Sequence, residues 1–143
     1  MFSKNTFFLT LCFGLLLSLP GFAFADMANP QDSSNYEQCM EKANGVTAAM
    51  RDCENLETQR LDRILNASYR AIMQSSMDSK DKDTLKALQK TWLGQRDKIM
   101  KILMKYAGDG TLAALEMDMT YREILQNQTV ILWRLANSLK DGE

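Results

Sequence analysis

From Gln31 to Glu143 this chain contains no proline, and that absence limits what it can fold into more than any other feature. Proline is kept out of helix interiors because it lacks an N–H and clashes with the carbonyl four residues back. The same stretch is sparse in β-branched residues and rich in Leu, Met, Ala, Gln, Lys and Glu, which lose little on entering a helix. The chain therefore reads as all-α. A short first helix is expected from about Asn35 to Asn44, ended by Gly45, and Thr47 then caps a second helix reaching about Met77. The segment Asp78-Ser79-Lys80-Asp81 reads as a turn with capping groups, followed by a third helix to about Ala107. Gly108-Asp109-Gly110-Thr111 reads as C-cap glycine, turn and next N-cap, opening a fourth helix to about Leu139. Three long helices joined by short turns are expected to form an antiparallel bundle.

The first 25 residues belong to a different class of segment. Lys4 precedes the apolar run Thr6–Leu19, Pro20 and Gly21 break it, and Ala23-Phe24-Ala25 supplies a small-x-small cleavage pattern, so residues 1–25 read as a signal peptide cut after Ala25. The run is shorter than the roughly 20 residues a spanning helix needs, so no membrane insertion is expected after cleavage, and the expected location is the periplasm or beyond. Residues 26–34 read as a disordered polar leader and 35–143 as one helical domain. Export leaves Cys39 and Cys53 as an even pair in an oxidising compartment, where they are expected to bond each other. With roughly a dozen residues in the loop, the chain-entropy argument assigns that bond about 3 kcal/mol. Its expected role is to fasten the short first helix, too brief to be stable alone, onto the second.

On the third helix, Leu85, Leu88, Trp92, Ile99 and Leu103 recur at helical spacing, and Gln89 and Arg96 share their face. If the second and third helices fold back about Ser79, facing residue numbers sum to 158. That places Asp62 opposite Arg96, Asn66 opposite Trp92 and Tyr69 opposite Gln89. Each pair matches a donor to an acceptor, so the six are expected to form a buried polar seam that fixes the register of the hairpin.

The pattern Cys39-x13-Cys53, Asp62, Leu65-Asn66, Tyr69, Leu88-Gln89-x-x-Trp92-x-x-x-Arg96-Asp97 and Thr120 resembles the exported bacterial family named for the lysozyme inhibitor LprI, over nearly all of the chain from Cys39 to about Leu125. The resemblance implies a small, helical, disulfide-bearing envelope protein. The family commonly carries a second cysteine pair, and this chain departs from it: Met100 stands at the first position and Leu115–Met117 offer no cysteine. The hairpin count places Met100 opposite Met117 or Asp118, where apolar packing would replace the bond.

Chemistry by a nucleophile and base is disfavoured, because the chain has no histidine and its cysteines are paired. Asp62 and Glu57 remain the only carboxylates singled out for acid–base work, and no cleft signature accompanies them. No enzyme activity, cofactor or resident metal is expected. Without Lys4 the chain has 16 basic and 18 acidic residues, a net charge of −2, and no basic block points to nucleic acid. Methionine pairs at Met73/Met77, Met100/Met104 and Met117/Met119 suit either core filling or Cu(I). The sequons at Asn66 and Asn127 fall mid-helix and read as chance, while Gly94 reads as a point of close helix approach. The expected role is a binding protein with a protein partner, a lysozyme if the resemblance extends so far. Acidic turn residues Asp78, Asp81, Asp83 and Asp109 are the candidate contacts. The alternatives are a helical chaperone or stress-adaptor and a methionine-based copper binder. Intact-mass measurement of the exported protein is expected to give a chain beginning at Asp26; a chain that keeps residues 1–25 refutes the cleavage.

Overall fold

The computed structural model describes residues 29–141, so the signal-peptide reading lies outside the described residues. Four helices follow one another: α1 (Ser34–Ala43), α2 (Thr47–Gln74), α3 (Ser79–Tyr106) and α4 (Thr111–Asp141). No strand is present among the described residues. The all-α expectation holds, with boundaries within a few residues, and the local reasons are visible at the ends. Ser33 caps α1 by accepting a hydrogen bond from the Tyr36 amide. Asn44 takes the left-handed conformation that stops α1, at φ 45°, and Gly45 follows at φ 78°; an asparagine tolerates that region better than most residues. Val46, not Thr47, sits at the N-cap of α2 without a side-chain cap, so Thr47 is the first helical residue. The turn at 78–81 is tighter than expected, because Asp78 caps α3 through the Lys80 amide at 2.8 Å and the helix begins at Ser79. Gly110, at φ 114°, supplies the left-handed step before α4, while α3 ends at Ala107 in extended conformation.

The expected disulfide is present, joining Cys39 of α1 to Cys53 of α2 with Cα atoms 5.7 Å apart. The core lies chiefly between α2 and α4. Leu61, Leu65 and Ile72 from α2 meet Leu125 and Leu132 from α4, and all five are buried. Arg51 meets Asp118 and Glu54 meets Arg122, so α2 and α4 lie side by side and point the same way, and α3, which joins them in the chain, runs back along the outside of their contact. Asp118, assigned by the hairpin count to Met100, is thus taken by α2 instead.

The third helix differs from what its pattern suggests. Only Leu85 and Trp92 of the expected apolar face pack against the core, and α3 has no buried residue. Leu88 is 60% exposed and Ile99 46%. The cause is that α2 and α4 satisfy each other's apolar stripes, which leaves α3 a shallow seat. Gly94 is exposed, and a Cβ built there would meet nothing within 4 Å, so it marks no close approach. Gly94→Ala is therefore expected to stabilise the fold by about 0.5–1 kcal/mol, the ordinary gain in an exposed helix interior. Urea denaturation showing a loss instead would mean that some partner fills that space.

The amino-terminal segment is a second correction. Residues 26–34 read as disordered, yet Pro30 and Ser33 are buried. Arg60 donates to the carbonyls of Asn29, at 2.7 Å, and Gln31. Gln126 donates to the Pro30 carbonyl at 3.0 Å. Two helices thus grip the backbone of a segment whose polar side chains carry no folding signal of their own.

Candidate functional site

Three features of the molecule have the chemistry to do more than fill space: a buried ion network, a groove between α2 and α3, and the acidic turns. The ion network sets the helices that frame the other two. Glu54, Glu57 and Arg60 step along α2 by three residues and fall on its inward stripe, while Arg122 occupies the inward stripe of α4 between Leu115 and Leu125. Arg122 donates from Nε to Glu54 at 2.8 Å and from Nη1 to Asp32 at 2.9 Å. Its guanidinium also lies 4.8 Å from the Tyr36 ring centre. Tyr36 donates to the other Glu54 oxygen at 2.6 Å. Alongside, Glu57 accepts from the amide and hydroxyl of Ser33 and from Arg60.

The electrostatics follow from that geometry. Burial alone would raise the Glu57 pKa, but hydrogen bonds from Arg60 and Ser33 outweigh it and hold the carboxyl below its usual value. A carboxylate whose folded pKa is depressed stabilises the fold above its unfolded pKa and loses that contribution as pH falls through the folded value. Burial, reinforced by the bond to Glu54, pushes the Tyr36 phenol well above its usual range, so it stays a donor at every physiological pH. Each charge in the network has a partner, although Asp32 reaches solvent and Ser33, Tyr36, Glu57 and Arg60 stand in the wall of a crevice of about 330 Å³ beside the disulfide. Glu57, one of the two carboxylates considered for catalysis, is thereby committed to structure.

The six residues of the expected seam do line one groove. Asp62, Asn66 and Tyr69 from α2 face Gln89, Trp92 and Arg96 from α3 across a space of about 310 Å³, joined by Leu65, Lys86, Lys90 and Leu93. The expected pairs across it do not form. Asn66 donates to the backbone and carboxylate of Asp62 on its own helix, at 2.8 and 3.0 Å. Arg96 donates to its neighbour Asp97 at 3.1 and 2.9 Å. Its guanidinium stacks against Trp92 at 5.2 Å and Tyr121 at 5.3 Å, and two aromatic faces answer a cation without removing it fully from water. Asp62 and Asn66 are exposed. The seam is an open groove rather than a buried lock, because the locking charges sit between α2 and α4. One polar atom on it is left over: Gln89 Nε2 is buried without a hydrogen-bond partner. A second crevice of about 540 Å³ continues along the same side of α2, with Arg51, Asp52, Asn55, Asp118 and Tyr121 in its wall.

All four turn carboxylates are exposed, but the structure separates them. Asp78, Asp81 and Asp83 lie at the start of α3 and Asp109 beyond its end. A 28-residue helix is about 42 Å long at 1.5 Å per residue, so one cleft cannot take both groups. The groove belongs with the first group, since Tyr69 and Lys86 lie within about two helical turns of the turn at 75–78. Among the described residues no cluster of three or more His, Cys, Asp or Glu forms a metal site, and no helix is long and apolar enough to cross a membrane.

Fold and site together define a small disulfide-fastened helical bundle with a buried ion network and an open polar groove. The family model described as "Lysozyme inhibitor LprI" matches residues 39–131, and the chain belongs to that family, whose members are exported. No curated protein and no solved structure matches it.

The buried network and the open groove make opposite forecasts for substitution. Removing Arg122 strands Glu54 and is expected to cost about 3–5 kcal/mol, whereas Asp62→Ala, at an exposed position that does not meet Arg96, is expected to stay within about 0.5 kcal/mol. Paired urea denaturation of Arg122→Ala and Asp62→Ala checks this; equal losses would put the locking charges back in the groove.

Proposed function

We propose that this protein is a non-enzymatic binding protein of the bacterial envelope that blocks a lysozyme. Membership of the family matched over residues 39–131 is the observation that carries the reading. A retaining muramidase works with two carboxylates in a cleft, so an inhibitor succeeds by filling that cleft with something rigid while its own acids complement a basic exterior.

The turn between α2 and α3 suits that task. Ser75 Oγ donates to the Ile72 carbonyl at 2.8 Å and accepts from the Met77 amide, Asp78 accepts from the Lys80 amide, and Lys82 donates to the Ser75 carbonyl at 2.6 Å. A turn ordered in advance loses less entropy on binding. Asp81 and Asp83 project beside it, and the groove with the Gln89 donor opens on the same end. Asp109, between two glycines at the far end, has no such support. The inhibitor therefore engages its target through Asp81, Asp83 and the adjoining groove.

The test is turnover of a c-type lysozyme on cell-wall substrate. Micromolar protein is expected to slow it, Asp81→Asn with Asp83→Asn to weaken inhibition at least tenfold, and Asp109→Asn to leave it within about twofold, a tenfold loss being about 1.4 kcal/mol. No slowing by the unaltered protein in molar excess would end the reading, and sensitivity to Asp109 alone would move the contact to the other end.

A further inference from the structure

The third helix carries a charge that the rest of the molecule does not share. Between Ser79 and Tyr106 there are eight basic and three acidic residues, a net charge of +5; the remainder of the chain from Asp26 holds eight basic and fifteen acidic, a net charge of −7. The near-neutral total hides a strongly divided molecule. The same helix exposes large apolar side chains in its second half, among them Ile99, Ile102 and Tyr106, the last 76% exposed. At about 100° per residue, Leu88, Ile99, Ile102 and Tyr106 fall within about 60° of one another. Lys98 and Lys105 border that strip, and Lys101 lies just beyond. All three lysines are exposed.

We propose that this strip of α3 adsorbs the protein onto an anionic phospholipid surface, with the helix lying in the plane of the interface and its apolar edge entering the headgroup layer. An interfacial helix combines one apolar edge with a lysine-rich polar face, and α3 has both while spending only Leu85 and Trp92 on the core. Long lysine stems let the ammonium groups reach phosphates while the methylenes stay with the acyl chains. The exposed basic residues beside the strip are lysines, point charges suited to mobile headgroups, while the one planar fork near it, Arg96, is turned against Trp92 and Tyr121 on the groove side. Leu88 to Tyr106 also extends along about 27 Å of helix, a linear contact that fits a flat surface. A second copy is the poorer occupant, because a two-fold pairing through α3 would set one +5 helix against another.

Cosedimentation with unilamellar vesicles tests this, using the exported protein whose first residue has been established by mass. Binding is expected to vesicles containing phosphatidylglycerol, not to phosphatidylcholine alone, and to be lost near 1 M salt, where the screening length falls to about 3 Å. Each lysine at an anionic surface strengthens adsorption about fivefold, so Lys98→Gln, Lys101→Gln and Lys105→Gln together are expected to weaken it roughly 100-fold. Ile102→Ser with Tyr106→Ser, both at exposed positions, is expected to reduce binding with an unchanged circular dichroism spectrum. No preference for anionic vesicles, or binding indifferent to these variants, overturns the proposal. So does a concentration-dependent dimer, seen by ultracentrifugation without vesicle binding, that the serine variants abolish. Lysozyme inhibition is a separate readout on different residues, so either result stands without the other.

Discussion

The buried pair between Glu54 and Arg122 sets the rest of the structure. Two charges taken from water cost several kcal/mol each unless their remaining valences are met, and here they are met. Tyr36 takes one oxygen of Glu54 and Arg122 the other; Asp32, Gln126 and the Tyr36 ring complete the surroundings of the guanidinium. Such a constellation is satisfied in one alignment only. Sliding α4 by a turn along α2 would leave both charges buried and alone, so the pair specifies the parallel register of the two core helices more sharply than leucine packing would.

The same network explains how a short helix and an irregular segment are kept. The disulfide joins α1 to α2 covalently, but one bond leaves α1 free to pivot. Tyr36 and Ser33, reaching Glu54 and Glu57, remove that freedom. Arg60 and Gln126 then hold the backbone of Asn29 to Gln31 from two different helices. Sulfur and charge act at the same end of the bundle, and the opposite end has only the self-contained turn at 75–78. Rigidity is therefore unevenly supplied, and α3, outside both devices, receives least of it.

Helix number, helix type and the disulfide were legible because they depend on local chemistry: the proline-free run, the capping groups at Asp78 to Asp81, and two cysteines in an exported chain. Tertiary partnership was not. A polar residue on an apolar stripe signals a buried match, but Gln89 and Arg96 carry that signal on α3, and helices adjacent in sequence are not the principal neighbours in space here. The stronger form of the same signal lay in Glu54, Glu57 and Arg60 leading into Leu61 and Ile64, and in Arg122 ahead of Leu125. A hairpin count cannot find those pairs, because α2 and α4 run parallel and are separated by the whole of α3. The pull of a cationic side chain toward aromatic faces was legible only in part: the register that sets Met100 opposite Met117 or Asp118 also brings Tyr121 beside Arg96, but an aromatic face is no hydrogen-bond partner in a donor–acceptor match.

One consequence separates what holds this protein together from what it can offer. Asp62, Asn66, Tyr69, Gln89, Trp92 and Arg96, on which the family likeness was drawn, gather around the open groove, while the buried network uses a different set. A groove residue left partly solvated contributes little to stability, as Asp62 shows by bonding only within its own helix, and Gln89 holds a buried nitrogen without an acceptor. An unfilled donor costs about 1–3 kcal/mol, a cost that a partner's carbonyl would relieve. Among the described residues the groove is thus where a buried polar group is left unanswered, and its position beside the ordered turn makes the two a single face.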